Sequence, residues 1–133
     1  MERRAAAVRT AAGVAAGGAL AALARLGLNL LLDPDLLRFP WATLVANAVG
    51  CLLIGLLAGY ASRRNWPPAL VEAIRTGFIG GFTTFSAFSV ETIGLLEAGR
   101  PVDAALYALG SIALGYALTW LGLRVGRRGN GHG

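Results

Sequence analysis

The chain has 133 residues, 56% of them hydrophobic and only 14% charged, with a formal net charge of +5. Soluble domains carry about a quarter charged residues, and here the apolar residues fall in blocks rather than amphipathic stripes, which excludes an ordinary soluble globular protein. The basic excess does not indicate nucleic acid either, because most arginines sit at the block ends, where basic residues anchor and orient membrane helices.

Four apolar blocks cover residues 11–32, 40–61, 69–96 and 102–125. Each reaches the roughly 20 residues that a helix needs to cross a hydrocarbon core. A cleavable signal peptide does not account for the first block, which is too long and is followed by three more spans. The expected architecture is an all-α membrane protein. It has a single domain of four transmembrane helices over residues 1–128 and a flexible glycine-rich tail at 129–133.

Arg3, Arg4 and Arg9 form a basic cap ahead of the first block. Within that block Gly13, Gly17, Gly18 and Ala21 have the small-xxx-small spacing that lets another backbone approach closely. Arg25 lies about two turns before the expected helix end. It either snorkels to the interface or faces a water-filled vestibule. Asp33-Pro34-Asp35 closes the helix and Pro40-Trp41 opens the next, with Trp41 suited to headgroup level. Thr43 and Asn47 are one turn apart and share a face. An asparagine is costly in lipid, so it points inward, most simply as interhelical glue. Gly55 and Gly59 read as packing positions, and Cys51, the one cysteine, allows neither an intrachain disulfide nor a thiolate cluster.

The third block is long enough for about 42 Å of unbroken helix, more than the core requires, so an interruption inside it sacrifices little span. Its centre reads Gly77-Phe78-Ile79-Gly80-Gly81-Phe82-Thr83-Thr84-Phe85-Ser86-Ala87-Phe88-Ser89. Paired glycines weaken a helix interior, and the hydroxyls of Thr83, Thr84, Ser86 and Ser89 need partners at membrane depth. An interruption over residues 80–84 is expected. Interrupted spans free carbonyls for cations and helix N-termini for anions. Phe85 and Phe88 share one face, and ring edges carry partial positive charge. Glu91, farther along, is either an interfacial carboxylate or a partner for Arg25. In the fourth block Tyr107 and Ser111 are again one turn apart. These residues alone indicate an ion-handling site without fixing the sign of the ion.

The run Gly77–Glu91 resembles the signature of the Fluc (CrcB) fluoride channels, which reads G-x-x-G-G-(L/F)-T-T-F-S-T-F-S. The resemblance extends to the length, the four spans, the arginine in the first helix, the Thr43/Asn47 pair and the Tyr107/Ser111 pair, so it covers essentially the whole chain. It implies a passive channel of the bacterial inner membrane, surrounded by lipid, that exports cytoplasmic fluoride. Phe85 and Phe88 would be its pore rings, Asn47 a hydrogen-bond donor at the pore with Thr43 beside it, and Tyr107 and Ser111 the polar wall. Ser86 and Ser89 would complete the ion pathway, and Arg25 would sit at the vestibule. A structural sodium ion would be held by the main-chain carbonyls of Gly80 and Thr83. The chain departs from the pattern at Ala87, where the family usually has threonine. If that hydroxyl relays the anion, conduction here is slower or relies on Ser86 and Ser89.

The resemblance further implies an antiparallel dimer whose pores are built from both chains. The arginines complicate self-pairing. Arg3, Arg4, Arg9, Arg63, Arg64, Arg75, Arg124, Arg127 and Arg128 fall on one side of a four-span topology, and only Arg38 and Arg100 fall on the other. Such asymmetry favours one orientation, so the partner is either a second copy or an oppositely oriented paralogue. Two other functions fit the residues less well. A small dual-topology multidrug or cation exporter needs an acidic residue in its first span, where this chain has Arg25. A non-conducting membrane subunit leaves the clustered Thr, Ser, Phe and Asn unexplained. An enzyme is not expected, since no nucleotide-binding G-x-x-x-x-G-K-[ST] loop occurs and the one histidine, His132, lies in the tail.

Overall fold

Helix dominates the computed structural model, which describes residues 1–32 and 39–128. In chain order there are α1 (Glu2–Leu32), α2 (Trp41–Ala61), α3 (Pro68–Glu72) and a π-helical stretch (Ala73–Ile79). A single turn α4 (Gly80–Phe82) follows, then α5 (Phe85–Glu97) and α6 (Pro101–Arg128). Four stretches are long and apolar enough to cross a membrane: Glu2–Leu32, Trp41–Ala61, Pro68–Glu97 and Pro101–Arg128. The expected stop at Asp33-Pro34-Asp35, Arg38 and the tail with His132 lie outside the described residues.

The first helix begins earlier than the hydropathy suggests. Arg3, Arg4 and Arg9 are not a cap ahead of α1 but part of its opening turns. The reason is local: Ala5-Ala6-Ala7 between them has the highest helix propensity of any residue type.

Glycines set how closely the helices approach. A Cβ added to Gly17 would lie 2.5 Å from the carbonyl oxygen of Ala73, and one on Gly77 would lie 2.6 Å from that of Val14. Gly13 also faces Ala73, and Gly81 faces Gly18 and Ala21. Residue numbers rise together along this contact, so α1 and the first half of the third span run parallel. A second parallel pair joins α2 to α6, where Gly59 meets Gly126 and a Cβ on Gly59 would sit 2.7 Å from the Gly126 Cα. The short turn between α5 and α6 brings Leu95 against Ala104 and Tyr107. Ala21, Ala46 and Phe82 form the other buried cluster, joining α1, α2 and α4.

Within Pro68–Glu97 the backbone leaves helical dihedrals at two residues. Thr83 has φ −80° and ψ 152°, and Thr84 has φ −148° and ψ 122°. Gly80, in contrast, keeps φ −64° and ψ −33°, and α4 carries both glycines. The departure is therefore narrower than residues 80–84 and lies after the glycines. Gly81 is occupied by packing: a Cβ there would come 3.1 Å from the Ala21 Cβ and 3.4 Å from the Gly18 Cα, whereas one on Gly80 would meet only the Arg75 carbonyl of its own span at 3.5 Å.

Candidate functional site

Extended backbone between two helices leaves peptide groups that helical bonding does not satisfy. Here Asn47 on α2 satisfies them from the side. Its Nδ2 donates to the Thr84 carbonyl at 3.0 Å, and the Thr84 N–H donates back to Oδ1 at 2.8 Å. Thr84 then caps α5, because its hydroxyl accepts from the Ala87 N–H at 3.2 Å, the usual task of a threonine at a helix start. Thr83 closes the preceding turn, with both its N–H and its hydroxyl donating to the Ile79 carbonyl at 3.0 Å. Gly50 makes room for this arrangement, since a Cβ there would overlap the Thr83 Cγ2 methyl.

Two main-chain carbonyls lose their helical donors as a result. The Thr84 N–H would bond the Gly80 carbonyl in a continuous helix, but it bonds Asn47 instead. The Ala87 N–H would bond the Thr83 carbonyl, but it bonds the Thr84 hydroxyl. Neutral oxygens freed in this way suit a hard cation such as sodium, which prefers oxygen ligands. The donor set at Gly80 and Thr83 thus fits that ion chemically. Among the described residues, no group of three or more His, Cys, Asp or Glu is placed to hold a metal.

A second polar cluster lies one to two turns along α5. Both oxygens of Glu91 accept hydrogen bonds, from the Thr43 hydroxyl at 2.7 Å and from the Tyr107 hydroxyl at 2.6 Å. Thr43 is 5% exposed and Tyr107 1%. The carboxylate is therefore neither a bare interfacial group nor the partner of Arg25. It ties α2, α5 and α6 together. Spacing within one helix showed that Thr43 and Asn47 share a face. No such signal reveals which residue of another helix lies opposite, and that is why the sequence leaves the partner of Glu91 open.

An open groove of about 580 Å³ runs beside the interruption. Asn47, Thr83, Thr84, Phe85, Phe88 and Ser111 all contribute to its wall. The Ser111 hydroxyl is buried without a protein hydrogen-bond partner. The Phe85 and Phe88 rings lie 5.7 Å apart, and Phe88 lies 5.3 Å from the Tyr107 ring. Phe85 is 80% exposed in the single chain. Gly80 lines it too, whereas Thr43, Ser86, Ser89, Tyr107 and Arg25 do not. Thr43 and Tyr107 belong to the Glu91 cluster. The Ser89 hydroxyl donates to the Phe85 carbonyl at 2.9 Å, and Ser86 lies 3.2 Å from the Thr84 hydroxyl. Arg25 is half-buried on α1.

Residues 12–123 match the family described as CrcB-like protein, Camphor Resistance (CrcB). The chain belongs to this family. The CrcB chain is also 46% identical, over 84% of its length and 90% of the relative's, to a protein of Methylobacillus flagellatus named fluoride-specific ion channel FluC. It is 48% identical to the Symbiobacterium thermophilum protein named fluoride-specific ion channel FluC 2, covering 88% and 97% of the two chains. A Thermus thermophilus protein named fluoride-specific ion channel FluC is 45% identical over 85% of this chain and 91% of its own. With four spans, this CrcB chain is a multi-pass membrane protein.

Proposed function

We propose that the chain is a passive, fluoride-selective channel of the bacterial inner membrane that lets cytoplasmic fluoride leave. The observation that carries this reading is the convergence of Phe85, Phe88, Asn47 and Ser111 on one groove beside the Thr83–Thr84 interruption. Fluoride holds its water tightly, so a path must replace that water without trapping the ion, since conduction needs release as well as binding. Ring edges, the second N–H of Asn47 and the unpartnered Ser111 hydroxyl are weak, neutral groups of the right polarity. The names of the relatives support the same ion.

Phe85 is too exposed to enclose an ion within one chain, so the pore is completed by a second subunit. An antiparallel dimer places the two interruptions, mid-membrane, against each other. The carbonyls of Gly80 and Thr83 from both chains would then hold one structural sodium ion between like neutral surfaces. The skewed arginines favour a second version of this assembly, in which the opposite subunit is a paralogue with the reverse charge bias.

Reconstitution into liposomes tests the function. Fluoride trapped inside should leave on addition of a potassium ionophore, while chloride under the same conditions stays. Equal loss of both anions, or no loss of fluoride from an intact dimer, contradicts the reading.

A further inference from the structure

Among the described residues that line the groove, one carries a formal charge, and it is Arg75. The order of the lining residues gives its place. On α2 the wall runs from Asn47 through Gly50 and Cys51 to Ile54, and on the antiparallel third span it runs from Phe88 back to Arg75. Asn47, Phe88 and Ser111 therefore share one end, and Ile54, Tyr116 and Arg75 share the other. The length of α2 between Asn47 and Ile54 is about 10 Å. Arg75 stands at the end towards the α2 C-terminus, within the π-helical stretch. The Glu72 carboxylate, one turn nearer that end, accepts from the Arg75 guanidinium and from the Thr76 hydroxyl at 2.8 Å. Glu72 does not line the groove. The carboxylate thus holds the guanidinium from outside, and only part of its five-donor fork is engaged.

Resting on the channel reading above, we infer that Arg75 is an anion-gathering residue at the mouth of the pathway. It raises the local fluoride concentration and hands the ion to the neutral track. A fixed positive charge beside low-dielectric walls concentrates anions and speeds entry. At the mouth it does so without creating the deep trap that a cation beside Phe85 and Phe88 would make. Glu72 opposes this field while it positions the side chain, so the pair sets the strength of attraction.

The test is the rate of fluoride efflux from liposomes at low fluoride, measured across ionic strength set by an impermeant salt. Arg75→Gln should slow efflux about 3–10-fold at low ionic strength. The deficit should shrink as salt approaches about 1 M, where the screening length falls to about 3 Å. Arg75→Lys should keep most of the rate. Glu72→Gln should raise the rate, an effect in the opposite direction that a damaged fold would not produce. At saturating fluoride the Arg75→Gln deficit should vanish. Equal rates at every ionic strength, or a deficit unaffected by salt and fluoride concentration, overturns the inference. Failure of the unaltered protein to conduct fluoride instead overturns the channel reading beneath it.

Discussion

Asn47 is the side chain on which the local geometry depends most. It pairs with both peptide groups of Thr84, and removing it leaves them unmatched in a low-dielectric setting. Asn47→Ala should cost about 1–3 kcal/mol for each orphaned group, read as a lower thermal unfolding midpoint in detergent, together with loss of fluoride efflux. Glu91 presents a separable case. A glutamine is neutral and replaces one acceptor oxygen by an NH2 donor, so Glu91→Gln disturbs the pair of hydrogen bonds that the carboxylate accepts from the Thr43 and Tyr107 hydroxyls. Stability measured for Glu91→Gln, Tyr107→Phe and the double variant should give non-additive changes, with a coupling of about 0.5–3 kcal/mol. Additive changes would show that the 2.6 Å contact carries no net interaction.

At the scale of elements, the small residues act by position rather than by flexibility. Gly77 lies against the Val14 carbonyl, whereas Gly94 on α5 has nothing within 4 Å of an added Cβ. Gly77→Ala should therefore destabilise by about 1–3 kcal/mol through overpacking. Gly94→Ala should be neutral or gain up to about 1 kcal/mol from helix propensity. Equal effects from the two would contradict the packing account. This contrast also marks what was legible in the sequence. The four spans follow from block length, and the shared faces of Thr43/Asn47 and Tyr107/Ser111 follow from helical period. The exact residues that leave helical geometry did not follow, because glycine propensity pointed to Gly80-Gly81. The missing side chain of Gly81 is used instead to bring α1 close, and the interruption falls on Thr83 and Thr84, whose extended form Asn47 and the Thr84 cap stabilise. Register between helices is set by such contacts and leaves no trace in periodicity.

For the whole molecule the arginines give a direction. Arg3, Arg4 and Arg9 open α1, Arg63 and Arg64 follow α2, and Arg124, Arg127 and Arg128 close α6. These ends lie together in a four-span topology. The Arg124 guanidinium rests 4.0 Å from the Trp120 ring centroid, a pairing suited to the headgroup level. Cysteines introduced before Arg3 and beside Asn65 should react from the cytoplasmic side only, in a single population. An even split between the two sides would favour self-pairing over an oppositely oriented paralogue. The whole account depends most on the two rings beside the interruption, because Phe85 and Phe88 are the groups assigned to take over from water around the ion. The most direct measurement compares fluoride efflux from liposomes for the unaltered protein and for Phe88→Leu, each confirmed as an assembled dimer. The account predicts at least a tenfold slower efflux for Phe88→Leu, and an unchanged rate would contradict it.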